Sequence, residues 1–277
     1  MEALLHGLDQ AAQASLAAPV WVLLAGHSLT AVDALHGLSP FWLVSWLLGF
    51  TAAYGGGTLS ALLLQNPGAA SVALFSKNEV GLVYTLVWWA HSYLPRGLPR
   101  RAYGASPVLR CAAQLCRAVL RATTIVQRVN AAARLHPGVV AAPVILGTLA
   151  GAGGKLLTDA FLHCAGYQKG PNELSHPGYV LRSAAVGACL QYVSVHVLGV
   201  LSPQQGLGLV ITLYVAHSLA TDITGQPCDY TAPLGTLFHK EDGNGDDLAA
   251  AAAALVHAAV QRTSRQRGAA GSGVQLE

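Results

Sequence analysis

ALHGLSPFWLVSWLLGFTAAYGGGTLSALLLQNPGAASVALFS, residues 34–76, contains no Asp, Glu, Lys or Arg. A helix needs about 20 mostly apolar residues to cross the hydrocarbon core of a bilayer. A charge-free tract about twice that long must turn back once, and Asn66-Pro67-Gly68 is a strong turn signal inside it. Outward from this stretch the pattern repeats: Gln10 to Val32, Leu135 to Gly154 and Ser183 to Thr221 are also free of charged residues. Only 10% of the chain is charged and 53% is hydrophobic, whereas soluble domains carry about 25% charged residues. One such stretch fits a large soluble core; four exclude that class. The fold class is all-α integral membrane.

Proline, glycine and serine divide the chain into seven expected spans. The first runs from about 18 to 35. Ser39-Pro40 reads as a cap before the second, 41–64. The third is 71–94, with Trp88, Trp89 and Tyr93 near its end as an interfacial belt. A basic, proline-containing loop spans Pro95 to Arg101, and Ser106-Pro107 opens the fourth span, 108–133. His136-Pro137-Gly138 separates it from the fifth, 139–163. The sixth is 178–201, and Ser202-Pro203 turns into the seventh, 206–223. Residues 1–17 form a short segment before the spans. They carry Glu2 and Asp9 rather than a basic patch, so the first span is expected to act as its own insertion signal. From 225 to 277 the chain becomes an acidic, alanine-rich and then basic tail with too little apolar surface to fold alone.

Two glycine clusters carry the first functional argument. Span two holds YGGGTLSALLL (Tyr54 to Leu64), with Gly55, Gly56, Gly57 and then Ser60; span five holds GTLAGAGGKLLTDAF (Gly147 to Phe161), with Gly151, Gly153, Gly154 and then Thr158. Glycine lets helices approach closely, and Gly147 with Gly151 forms a GxxxG pair; it also lets a membrane helix bend and free carbonyls to line a cavity. Each cluster occupies the second helix of a three-helix set, 18–94 and 107–201. An odd number of spans per set inserts the second set upside down. Inverted repeats with broken helices at the midplane mark transport proteins, which favours the pathway reading.

Arg110, Arg117, Arg121 and Arg128 are spaced 7, 4 and 7 and fall within about 40° of one helix face. Arginines inside a membrane face a bundle interior, an aqueous cavity or a phosphate. A voltage- or lipid-responsive span and an amphipathic helix lying on the membrane surface are equally compatible with this stripe. Lys155 and Asp159 stand four apart on span five, an ion-pairing distance, with a pore role for either as the sharper reading. His27, His91, His196 and His217 are singletons, read as packed or interfacial. Asp242, Asn244 and Asp246 imitate the start of a calcium loop, but Asp247 replaces the required glycine and Ala253 the final glutamate. Five cysteines form no CxxC pair and read as small hydrophobes. No metal site, organic cofactor or nucleic-acid partner is expected. HExxH, GxSxG and P-loop motifs are missing, and the last span has no lysine for a retinal Schiff base, so no enzyme is expected.

Seven spans put the termini on opposite sides. The N-terminal side then receives Lys77, Arg128 and Arg134, and the C-terminal side Arg96, Arg100, Arg101, Arg110, Lys169, Arg182, Lys240, Arg262, Arg265 and Arg267. The positive-inside rule places the C-terminus in the cytosol and residues 1–17 in a lumen or outside.

Together the two glycine motifs, the arginine-bearing fourth span and the seven-span layout resemble the trimeric intracellular cation channels over about Val20 to Thr224. YGGGTLSALLL looks like the family's second-span motif and Gly151 to Gly154, followed by Thr158, like its fifth-span motif. Arg117-Ala118-Val119-Leu120-Arg121 resembles the fourth-span Lys-Glu-Val-x-Arg, and His27 also resembles a family position. The resemblance implies two inverted three-helix repeats plus a seventh helix. It further implies a homotrimer with one pore per protomer in an intracellular membrane, the endoplasmic reticulum. The channel is expected to conduct potassium and other monovalent cations as counter-current during calcium release. By position the hinge role falls to Gly55, Gly56, Gly57, Gly151, Gly153 and Gly154. Contact with the phosphates of phosphatidylinositol bisphosphate falls to Arg117 and Arg121. Two departures stand out: Ala118 replaces the family glutamate, and Lys155 sets a positive charge beside the span-five glycines, where it repels permeant cations unless paired or turned away. A secondary transporter built on the same repeats, and a non-conducting lipid-binding scaffold, are the competing readings.

Overall fold

The computed structural model describes residues 2–64, 78–167, 173, 175–226 and 228–234. Among these every regular element is helical. The helices are α1 (Glu2–Ala17), α2 (Val20–Ala34), α3 (Trp42–Leu64), α4 (Asn78–Tyr93), α5 (Leu98–Ala105), α6 (Pro107–Leu135), α7 (Ala141–Cys164), α8 (Tyr179–Gln191) and α9 (Pro203–Thr224). A 3-10 turn, Pro95–Gly97, precedes α5, and a π-helical segment, Tyr192–Val197, prolongs α8.

Local chemistry sets several boundaries. Ser106 Oγ accepts from Leu109 N at 3.2 Å, with Pro107 in the first turn of α6. Ser202 and Gln205 form a reciprocal capping box, with Pro203 at the start and left-handed Gly225 closing α9. Phe41 N donates to Ser39 Oγ just before α3, and α6 ends at the His136-Pro137-Gly138 break, where Gly138 takes a φ of 80°.

Four helical stretches are long and apolar enough to cross a membrane: Trp42–Leu64, Ala141–Cys164, Tyr179–Val197 and Pro203–Thr224. The expected first span differs. At 15 residues, α2 rises only about 22 Å, and it joins α1 across a bend of 84°, the two together making a fifth candidate. Residues 2–17, expected as a mere leading segment, form a helix that packs on α9. Gly208 makes room for the Leu8 backbone, and Gln205 Nε2 donates to Asp9 Oδ2 at 3.1 Å. α6 is 29 residues long, and its five arginines keep it from reading as a span by composition. The start of the third span, 71–77, lies outside the described residues.

α6 is the hub. It packs against α2, α7, α8 and α9, and the main core gathers its Ala118, Val119, Ala122, Ile125, Val126 and Val129 with Leu23, Ala184, Val210 and Tyr214. A second core joins α2, α3 and α4 through Leu24, Val32, Phe50, Val80, Tyr84 and Trp88. Tyr84 lies against Gly49 and donates to Trp46 O at 2.7 Å, and Trp88 donates to Ser45 Oγ at 3.2 Å. Trp88 is therefore a core residue, unlike the half-exposed Trp89 and Tyr93; its indole N–H found an internal acceptor, so it has no need of an interface.

The tail begins later than composition implies. After α9 the chain folds back, and Asp229 Oδ2 meets Arg182 Nη2 at 2.6 Å while Thr231 is fully buried. Asp229 also accepts from Thr231 N and Oγ1 at 2.8 and 2.6 Å. Burial pushes the Asp229 carboxyl up, but its hydrogen bonds from Thr231 and Arg182 outweigh this and hold it below the usual carboxylate range. The depressed group contributes stability above its unfolded value, about 3.9, and loses it as pH falls through the folded one. Asp229→Asn is expected to speed hydrogen exchange of the Thr231 amide about tenfold at neutral pH, read by mass spectrometry; an unchanged rate would show that the ion pair does not hold this segment. Residues 235–277, with the acidic patch and alanine run, lie outside the described residues.

Candidate functional site

α3 and α7 cross at their glycine clusters, and both remain helical throughout them. The clusters bring backbones together; neither breaks its helix. A Cβ on Gly56 would stand 2.6 Å from Ala150 O and 2.8 Å from Leu149 O, one on Gly153 2.9 Å from Gly56 Cα, and one on Gly154 2.5 Å from Ala52 O. Real carbon and oxygen atoms cannot approach so closely, so only glycine permits this crossing. Gly55 is tight by a smaller margin, 3.3 Å from Gly154 Cα, whereas Gly57 has ordinary space, 3.6 Å from Thr124 Cγ2. The other face of α7 uses Gly147 and Gly151 differently: their missing side chains admit Val129 and Ile125 of α6. The GxxxG pair is therefore a packing device.

Beside the crossing is a cavity of about 430 Å³. Gly56, Gly57, Gly151 and Gly154 line it, together with His27, Tyr54, Thr124, Gln127, Arg117, Arg121, Arg128 and Lys155. Gly55, Gly153, Ser60 and Thr158 do not line it. Ser60 is buried behind the wall, where its hydroxyl donates to Gly57 O at 3.1 Å and accepts from Arg128 Nε at 3.1 Å. Thr158 Oγ1 donates to Gly154 O at 2.8 Å.

The four stripe arginines part company. Arg110 is exposed and donates to Gly104 O at 3.2 Å, away from the cavity. Arg128 holds Ser60 and, through Nη2, Gly57 O at 3.3 Å, so it pins α6 to α3. Arg121 crosses to α7 and α8: Nε donates to Gly151 O at 2.8 Å, Nη2 donates to Val180 O and to Ser183 Oγ at 3.0 Å, and the guanidinium lies 4.9 Å over the Tyr214 ring. Arg117 has no hydrogen-bond or ion-pair partner among the described residues.

A second cavity, about 290 Å³, lies between α6, α8 and α9 and shares Arg117, Arg121 and Val180 with the first. Its wall adds Gln114, Tyr179, Tyr214, His217, Thr221 and Asp222. Tyr179, His217 and Thr221 bring buried polar atoms to this wall, and the Tyr179 hydroxyl and the His217 ring are turned toward Tyr230 and the Cys228 backbone. The stretch after α9 borders this wall: Tyr230 makes edge contacts with Tyr179 and His217, whose rings stack 4.2 Å apart. His217, read as packed or interfacial, thus faces a pocket that also holds Asp222. Nothing in the sequence marks Ser183, Val180 or Tyr214 as arginine partners, since the register of α8 and α9 against α6 decides it.

Lys155 and Asp159 do pair, Nζ to Oδ1 at 2.6 Å. Asp159 is buried and also accepts from Glu173 N at 3.2 Å, while half of the Lys155 side chain is exposed. Lys155→Ala is expected to cost about 1–2 kcal/mol, less than for a fully buried pair because the lysine is half in solvent. Adding Asp159→Ala should recover part of that loss in detergent melting curves; no coupling between the two changes would contradict the pairing.

Several long apolar helices packed around half-open, arginine-bearing cavities define a polytopic membrane protein. A model of the TRIC channel family matches residues 32–222, and the chain belongs to that family, whose members are channels and not enzymes. It is 26% identical over 214 residues to trimeric intracellular cation channel type 1B.1 of Caenorhabditis elegans, covering 77% of this chain and 70% of that one. It is 31% identical over 140 residues to the type B channel of Mus musculus, covering 48% and 46%. Solved structures agree on the fold. A C. elegans trimeric intracellular cation channel without Ca2+ superposes with a TM-score of 0.64 at 19% identity, covering 77% of this chain and 95% of that one. A TRIC counter-ion channel studied for its activity in calcium release gives 0.65 at 19%, covering 77% and 99%.

Proposed function

We propose that this protein is a potassium-preferring monovalent cation channel of an intracellular membrane, the endoplasmic reticulum, that carries counter-ion current during calcium release. It works as a homotrimer with one pore in each protomer. The observation that carries this reading is the glycine-only crossing of α3 and α7 beside an arginine-bearing cavity that meets a second cavity at Arg117 and Arg121. Ions pass along α6 from one cavity to the other, and the Arg121 contacts to α7 and α8 stand across that path.

The architecture behind the proposal is two inverted three-helix sets, α2–α4 and α6–α8, with α9 as the seventh span and the C-terminus in the cytosol. Contacts between the corresponding helices α2 and α6, and α3 and α7, support this pairing. Voltage and phosphatidylinositol bisphosphate bias gating through α6: a charged helix in a membrane field responds to potential, and Arg117 offers a free guanidinium to a headgroup phosphate. Proteoliposomes loaded with potassium provide the test. Channel-like efflux that needs no counter-transported solute is expected; flux that saturates with fixed stoichiometry to another solute would replace the channel with a transporter.

A further inference from the structure

The two cavities along α6 differ in the charges that face them. On the wall of the larger one the charged side chains are Arg117, Arg121, Arg128 and Lys155, all cations. The smaller one shares Arg117 and Arg121 and adds Asp222, the one carboxylate on either wall among the described residues. Asp159 and Asp229 are each held by a cation, Lys155 and Arg182. Asp222 is exposed and takes part in no ion pair among the described residues. The Cys111 thiol of α6 is turned toward it, a neutral neighbour that leaves its charge in place. Ser218, one turn earlier on α9, lines the same wall.

Stability does not account for an acid here. Asp222 lies in the last turn of α9, which Gly225 closes. A helix C-terminus is the negative end of the macrodipole, where Lys or Arg is favoured and Asp is not. The carboxylate and the carbonyls of the last turn together make this mouth negative, while the walls beyond it are positive. An arginine-lined path with nothing else at its mouth attracts chloride and turns potassium away. We infer that Asp222 is the cation-recruiting group of the channel: it gathers hydrated potassium at the mouth of the smaller cavity and sets cation over anion entry from the side on which α9 ends. The inference rests on the channel reading above, in which ions pass along α6 between the cavities. A fixed charge at a mouth acts through the local ion concentration. Its reach is the Debye length, about 10 Å at 0.1 M salt and about 3 Å at 1 M.

The test measures unitary currents of the full chain in planar bilayers, in symmetric potassium chloride at about 0.1 M and about 1 M. Asp222→Asn is expected to lower the potassium current entering from the side of the α9 end about twofold at the lower salt, with less effect on current in the opposite direction. At the higher salt it is expected to match the unmodified protein. Asp222→Glu keeps the current; Asp222→Lys lowers it further and, under a gradient, moves the reversal potential toward that of chloride. Ser218→Lys retains Asp222 but places a cation on the same wall. It is expected to act like Asp222→Asn, and covers the case in which that variant does not assemble. Equal low-salt currents in the unmodified protein, Asp222→Asn and Ser218→Lys overturn the inference. A loss that is the same at both salts also overturns it, because screening does not alter a purely structural defect. An unmodified protein that is silent, or that reverses at the chloride potential, overturns the channel reading and this inference with it.

Discussion

Gly56→Leu is expected to abolish potassium conduction while the trimer still assembles. Any Cβ at this position meets the carbonyls of Leu149 and Ala150, which are backbone atoms of a packed helix and cannot rotate away. The isobutyl group must therefore part α3 from α7, and the cavity wall that both helices build changes shape. Overpacking of this kind costs about 1–3 kcal/mol, and a backbone obstacle puts Gly56 at the upper end. Gly57→Ala is the control: its Cβ has 3.6 Å to the nearest heavy atom, and near-normal current is expected. Unitary currents from both variants in planar bilayers decide the matter. Normal current in Gly56→Leu would remove the crossing from the mechanism.

The second large effect separates two arginines that sequence treats alike. Arg117→Gln is expected to weaken binding to phosphoinositide-bearing vesicles about tenfold or more, because its guanidinium is free to fork onto a phosphate. Arg121→Gln is expected chiefly to destabilise, by about 2–3 kcal/mol, since it removes the charge-assisted hydrogen bonds to Gly151, Val180 and Ser183 that tie α6 to α7 and α8, and the contact over Tyr214. Vesicle flotation and melting curves measured on both variants give the answer. Equal losses of lipid binding with equal stabilities would contradict this division of roles.

Much of the helical framework was legible because charge is scarce and its placement is informative. The stretches 42–64, 141–164, 179–197 and 203–224 stand out as apolar runs between serine-proline and proline-glycine punctuation. Docking of residues 2–17 on α9 was not legible: it depends on Gly208 facing Leu8 and on the pairing of Asp9 with Gln205, residues almost 200 positions apart. Folding back of residues 228–231 was hidden for the same reason, since Arg182 selects Asp229 across the bundle. In the site, periodicity placed four arginines on one face. It could not show that Arg110 stays outside, that Arg121 and Arg128 are held by neutral acceptors, or that Arg117 is left free. Glycine clusters permit both bending and close approach, and only the atoms facing each missing Cβ decide between them.

Cation conduction through each protomer shows in the reversal potential of purified protein in a planar bilayer under a potassium chloride gradient. Discrete openings that reverse near the potassium equilibrium potential are the predicted result. Reversal near the chloride potential, or silence across voltages and with phosphoinositide present, would contradict it.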